Sequence, residues 1–149
     1  MASLANPKIR IHFLERLARL QPDSTRVWGR MTAPQMICHL NDSFRVAIGK
    51  KHVSPASNLF SRTVMKWVAL RTSLPWPRGV PTRPEIEQGV GGTPPRDWSR
   101  DCAELRELIL TVPNRKFAPK HPIFGEMTPE EWNIWAYRHT DHHLRQFGV

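Results

Sequence analysis

His139 and His143 stand four positions apart in the C-terminal stretch Ala136-Tyr-Arg-His-Thr-Asp-His-His-Leu-Arg-Gln-Phe147, which holds three of the chain's seven histidines. Four residues on an α-helix make about one turn, so the two imidazoles share a face and can share one metal ion. Imidazole nitrogen accepts zinc, nickel, iron or manganese, so the ligand type points to a divalent ion without choosing among them. The zinc-protease pattern H-E-x-x-H is not met, because Thr140 follows His139. Asp141 cannot replace the missing glutamate, since it projects to the far side of the helix. His142 lies at the border of the histidine face.

Further ligands must come from elsewhere in the chain. His39 sits in Thr32-Ala-Pro-Gln-Met-Ile-Cys-His39, where Thr32 and Gln35 have the spacing of a capping box and Pro34 falls in the first turn. The helix so opened is expected to run to about Gly49. With His39 at the centre of its inner face, Thr32, Gln35, Met36, Asp42, Ser43 and Val46 project the same way at ~100° per residue. A helix that only filled a core would not turn His39, Asp42 and Ser43 inward together. One inward histidine is most often a hydrogen-bonded core residue, and pairs four apart also arise by chance. Burying three unpaired imidazoles is costly, however, whereas one divalent ion satisfies a nitrogen from each. From the residues alone, both core histidines and a metal site remain open. Asp42, Ser43, His142 and Gln146 are candidates to orient such ligands or relay a proton, and each also reads as a polar rim residue. His121 is a further candidate for that surrounding role, although Pro122 forces extended backbone on it and favours a structural turn. Cys38 is rotated ~100° from His39 and is not counted as a ligand. His12 and His52 read as surface residues.

The positioning elements can be placed from caps and periodicity. Asn6-Pro7 opens a first helix with Ile9, Phe13, Leu17 and Leu20 at helical spacing, stopped by Gln21-Pro22-Asp23. Ser54 or Ser57 caps a third helix whose stripe is Phe60, Val64, Trp67, Val68 and Arg71, ending at Leu74-Pro75. Between Pro75 and Pro95 lie six prolines and four glycines, which forbid regular helix or central strand. So long an irregular crossover is usually functional or mobile. A fourth helix starts near Asp97, carries Trp98, Cys102, Leu105, Leu108, Ile109 and Val112, and stops at Pro113. Thr128-Pro-Glu-Glu131 opens the last with a second capping box. That helix presents Trp132, Trp135, Ala136, His139, His143 and Phe147 on one face. Ile134, Tyr137 and Leu144 form a second apolar stripe that needs another helix or a second subunit to cover it. No segment alternates with a two-residue period, so the chain is read as all-α and as one domain over 1–149.

Composition bounds the partners. The 149 residues carry 22 Lys+Arg against 13 Asp+Glu, a formal net charge of +9. That excess invites a nucleic-acid reading, but the basic residues are scattered and form no tract or recognised binding motif. A basic surface would also attract an anionic small substrate. No apolar run could span a membrane, and the N-terminus lacks a secretory pattern. With only Cys38 and Cys102, both read as reduced, a cytoplasmic location is expected.

Three segments carry a family resemblance: Trp28-Gly-Arg-Met-Thr-Ala-Pro-Gln-Met-Ile-Cys-His39-Leu, His121-Pro-Ile-Phe-Gly125, and Thr128-Pro-Glu-Glu-Trp132 through Tyr137-Arg-His-Thr-Asp-His-His-Leu-Arg-Gln-Phe147. The chain from about Arg26 onward resembles the DinB-like superfamily, most nearly its DUF1569 branch. The resemblance implies a four-helix bundle, often dimeric, with a divalent metal held by His39, His139 and His143. Some relatives are transferases or isomerases that use a low-molecular-weight thiol, although no thiol-site motif is found here. The expectation is therefore a metal-dependent thiol transferase or hydrolase acting on a small molecule. The alternatives are a non-catalytic, metal-stabilised stress-related bundle and, less favoured, a nucleic-acid-binding protein.

Overall fold

A computed structural model describes all residues, Met1–Val149. Five helices account for most of the ordered chain: α1 (Pro7–Leu17), α2 (Ala33–Ala47), α3 (Lys66–Arg71), α4 (Trp98–Thr111) and α5 (Pro129–Arg145). Their starts follow the capping chemistry. Asn6 accepts from Lys8 N at α1, Asp97 accepts from Arg100 N at α4, and reciprocal capping boxes form at Thr32/Gln35 and Thr128/Glu131. Each such cap satisfies backbone donors that a helix start leaves free, contributing about 1 kcal/mol.

α2 is the central element. It packs on α4 and α5, while α1 crosses both α4 and α5 and α3 lies against α5. Twelve of the fifteen α2 residues are buried, so its surroundings close around it rather than along one stripe. The core joins Phe13, Met36, Ile37, Phe44, Leu105, Ile109, Trp132 and Leu144 in one cluster. Fully burying each such side chain contributes roughly 1.5–3 kcal/mol, which is what holds α2 and α5 in register. No helix is long and apolar enough to cross a membrane.

Several expectations need correction. The chain is not purely helical: Lys120–His121 and Gly125–Glu126 form a two-stranded antiparallel pair around Pro122. α1 stops at Leu17 rather than at Gln21, and Leu20 reaches the core from the turn beyond it. The second stripe of α5 is covered from within the chain. Ile134 and Leu144 are buried, and Tyr137 stacks on Phe13 of α1 at 5.5 Å. The third helix differs most. Neither Ser54 nor Ser57 caps it; Asn58 and Ser61 cap it reciprocally, and a π-helical turn at Ser61–Met65 precedes α3. Its stripe faces outward, with Phe60 at 58%, Val64 at 51% and Trp67 at 61% exposure. Only Ser61 and Leu70 of these two short helices turn inward.

The Pro75–Pro95 segment is irregular apart from a 3-10 turn at Pro84–Ile86, yet it is firmly tied down. Glu85 accepts from the backbone and hydroxyl of Ser54. Thr93 donates to Asp42 from its backbone N at 2.8 Å and from its hydroxyl at 2.7 Å. These bonds fasten the crossover to Asp42, about one turn beyond His39 on α2, and to Ser54 in the chain that follows that helix.

Candidate metal centre

Three ring nitrogens meet where α2 and α5 face each other. The Nε2 atoms of His39 and His139 are 3.4 Å apart, and those of His139 and His143 are 3.2 Å apart. One ligand atom from each of the three histidines fits within a 4.8 Å group. Metal–nitrogen bonds of 2.0–2.1 Å at tetrahedral angles place nitrogens about 3.3–3.4 Å from one another, so the two separations made by His139 match one small divalent ion, and the His39–His143 pair would close within the 4.8 Å group to join it. His39 and His143 are buried and His139 is half-buried.

The outer nitrogens are held as a metal site requires. His39 Nδ1–H donates to the Ile86 carbonyl at 3.1 Å, and His143 Nδ1–H donates to Gln146 Oε1 at 3.1 Å. Each bond leaves the lone pair on the converging Nε2. His139 is fixed differently, by stacking on Trp135 with centroids 4.8 Å apart and planes 18° from parallel. Gln146 is itself seated by packing. Its carbonyl accepts from Val27 N at 2.7 Å, and its amide lies where a Cβ on Gly29 would come within 1.9 Å. Gly29 also has φ +90°, so glycine is required there on both counts.

Burial lowers the pKa of His39, and lowers those of His139 and His143 much further, with mutual repulsion among the rings adding to the last two. Neutral imidazoles are the form that ligates metal. No carboxylate is aimed at the converging nitrogens, so the donor set is three neutral histidines. Such a set leaves at least one coordination position open, as in catalytic rather than structural zinc sites.

The remaining candidates divide by what they touch. Gln146 contacts a triad ring. His142 lies edge-on to His143 at 5.3 Å and to Trp28 at 4.7 Å. Ser43 donates to the His39 backbone carbonyl and not to the ring. Asp42 is fully buried but spends its oxygens on Arg45, Lys51 and Thr93. Burial pushes its pKa up, and the bonds to Lys51 and Thr93 outweigh that and hold it below the ordinary value. His121 is structural: its Nδ1 accepts from Ile123 N and Phe124 N, and its ring packs against Trp132 and Trp135. Burial drives its pKa down to about 3. Cys38 donates to Asp101 and burial pushes its thiol up to about 12, so it is no ligand. Asp141 turns away to Arg16 and Arg145. The Ile86 carbonyl was not foreseeable, since a backbone oxygen in a proline-rich loop has no side-chain signature. Trp76, 6.0 Å from His139, comes from the same loop.

No curated protein and no solved structure matched the chain. A family model described as a protein of unknown function, DUF1569, matches residues 10–148. That match spans nearly the whole chain, including all three converging histidines, and the chain belongs to the DUF1569 family.

Proposed function

We propose that this chain is a divalent-metal protein of DinB-like build, a four-helix bundle of α1, α2, α4 and α5, acting as a metal-dependent thiol transferase or hydrolase on a small molecule. The observation that carries this reading is the convergence of three Nε2 atoms at 3.2 and 3.4 Å, with His39 and His143 each oriented through Nδ1. When bound, a zinc, nickel, iron or manganese ion would supply Lewis acidity at its open position. His39, His139 and His143 would hold it, and Ile86 and Gln146 keep their lone pairs aimed. His142, half exposed and edge-on to His143, is the group placed to pass a proton between this site and solvent. Trp76 beside His139 limits the approach of water.

Protein purified without chelators or a histidine tag should contain about one divalent ion per chain. The His39→Ala, His139→Ala double variant should contain less than about a tenth of that, measured by elemental analysis. Equal metal content in both proteins would remove the reading. A metal-stabilised bundle without chemistry rests on the same geometry; loss of melting temperature on chelation with no turnover of thiol-transfer or ester substrates would favour it. The scattered cations and the absence of a basic tract give nucleic acid little support.

Self-association is proposed through the outward stripe of the third helix. Phe60, Val64, Trp67 and Val68 form an exposed apolar face with Arg71 on the same stripe at its C-terminal end, and an antiparallel second copy would cover the apolar part about a two-fold axis. Light scattering should give a dimer mass for the native chain and a monomer mass for Trp67→Glu. A monomer in both cases would rule this interface out.

A further inference from the structure

We infer that the approach to the histidine site carries a subsite for a small carboxylate with a planar or apolar body, built from Arg78, Trp28 and Trp76. The inference rests on the metal-site reading for what lies beyond it, but the subsite is made of other residues.

Two half-buried tryptophans from separate loops stand beside the triad. Trp28 meets His142 at 4.7 Å, and Trp76 lies 6.0 Å from His139 and 6.1 Å from His142. Trp28 adds nothing to the hydrophobic core, so its place beside the histidines is not explained by packing. The Arg78 guanidinium lies over the Trp28 ring, 5.0 Å from its centroid. It is exposed and forms no ion pair with any carboxylate. A guanidinium laid on an indole keeps its edge donors free and already oriented, which is the arrangement that takes a carboxylate through two parallel bonds.

Three other charges around the histidines are committed elsewhere. Arg138 lies over Trp76 at 5.8 Å, but it donates to the Thr72 and Leu74 carbonyls and so fastens the loop that carries Trp76. Asp42 is saturated by Arg45, Lys51 and Thr93, and Asp141 by Arg16 and Arg145. Arg78 thus brings an unpaired positive charge directly over one of the two indoles. A bound divalent ion would add further positive charge with no protein carboxylate to neutralise it. An anion suits both; the indole faces suit an apolar or planar body.

Benzoate, acetate and benzyl alcohol titrated into the zinc-loaded full chain, followed by calorimetry, separate the contributions. Benzoate should bind at least about tenfold more tightly than benzyl alcohol, its neutral counterpart, and more tightly than acetate, which lacks the ring. Arg78→Ala should weaken benzoate by about tenfold or more, leave benzyl alcohol unchanged, and keep its zinc. Trp28→Leu should narrow the gap between benzoate and acetate. Equal binding of benzoate and benzyl alcohol, or benzoate binding indifferent to Arg78→Ala, would overturn the subsite. Should the chain hold no zinc, the metal reading falls on that measurement alone. The same titration of the metal-free chain would then still decide whether Arg78 selects a carboxylate.

Discussion

Stripping the metal-loaded chain with a chelator is expected to lower its melting temperature by about 8–16 °C, when the loaded sample holds free metal about a thousandfold above its dissociation constant. An ion that binds the native state alone then contributes about 4 kcal/mol. In a chain of 149 residues, each 1 kcal/mol moves the midpoint by about 2–4 °C. The size of the effect follows from where the ligands sit. His39 comes from α2 and His139 and His143 from α5, so one ion joins two helices across the core. In the unfolded chain His39 is a hundred residues from His139, and only the pair four apart remains close. His139→Ala removes the nitrogen that lies near both others and should cancel the shift on chelation, whatever the loss of its stacking on Trp135 does to the metal-free midpoint. A midpoint indifferent to chelation in the native chain would show that three imidazoles can be buried here without an ion.

The histidine convergence was legible because two independent signals agreed. Helical spacing puts His139 and His143 on one face, and the capping box at Thr32/Gln35 starts the helix that carries His39 inward. The third helix was legible only in part. Periodicity identifies the apolar stripe Phe60, Val64, Trp67 and Val68 but cannot say whether core or solvent lies beneath it. The same limit applies in reverse to Ile134 and Leu144, which are buried, and to Tyr137, which stacks on Phe13 of α1. Asp42 shows how helical projection misleads at short range. Three residues beyond His39, it shares that side of the wheel within about 60° but stands about 4.5 Å further along the axis. There it meets Thr93 and Lys51 instead of an imidazole.

Asp42→Ala is accordingly expected to destabilise the fold by about 3 kcal/mol and to weaken metal binding indirectly. Removing one member of a buried ion pair strands its partners, at a cost of roughly 3–5 kcal/mol. Arg45 keeps Glu104, and both Arg45 and Lys51 retain some access to water, which argues for the lower end of that range. The midpoint should fall by about 6–12 °C. Because the native carboxyl is held below its ordinary pKa, its contribution is fully present above the unfolded value. It is lost as pH falls below about 4, and Asp42→Asn should lack that acid-side loss. The link to the metal runs through the crossover: Thr93 loses its acceptor, the loop loosens, and the Ile86 carbonyl no longer fixes the His39 ring. Loss of such an orienting bond lowers metal affinity by about 10-fold or more. Limited proteolysis separates this route from direct ligand orientation. If Asp42 acts through the crossover, cleavage within 75–95 accelerates in step with the loss of affinity. Weaker metal binding with an unchanged cleavage rate would mean that Asp42 acts on the histidines themselves.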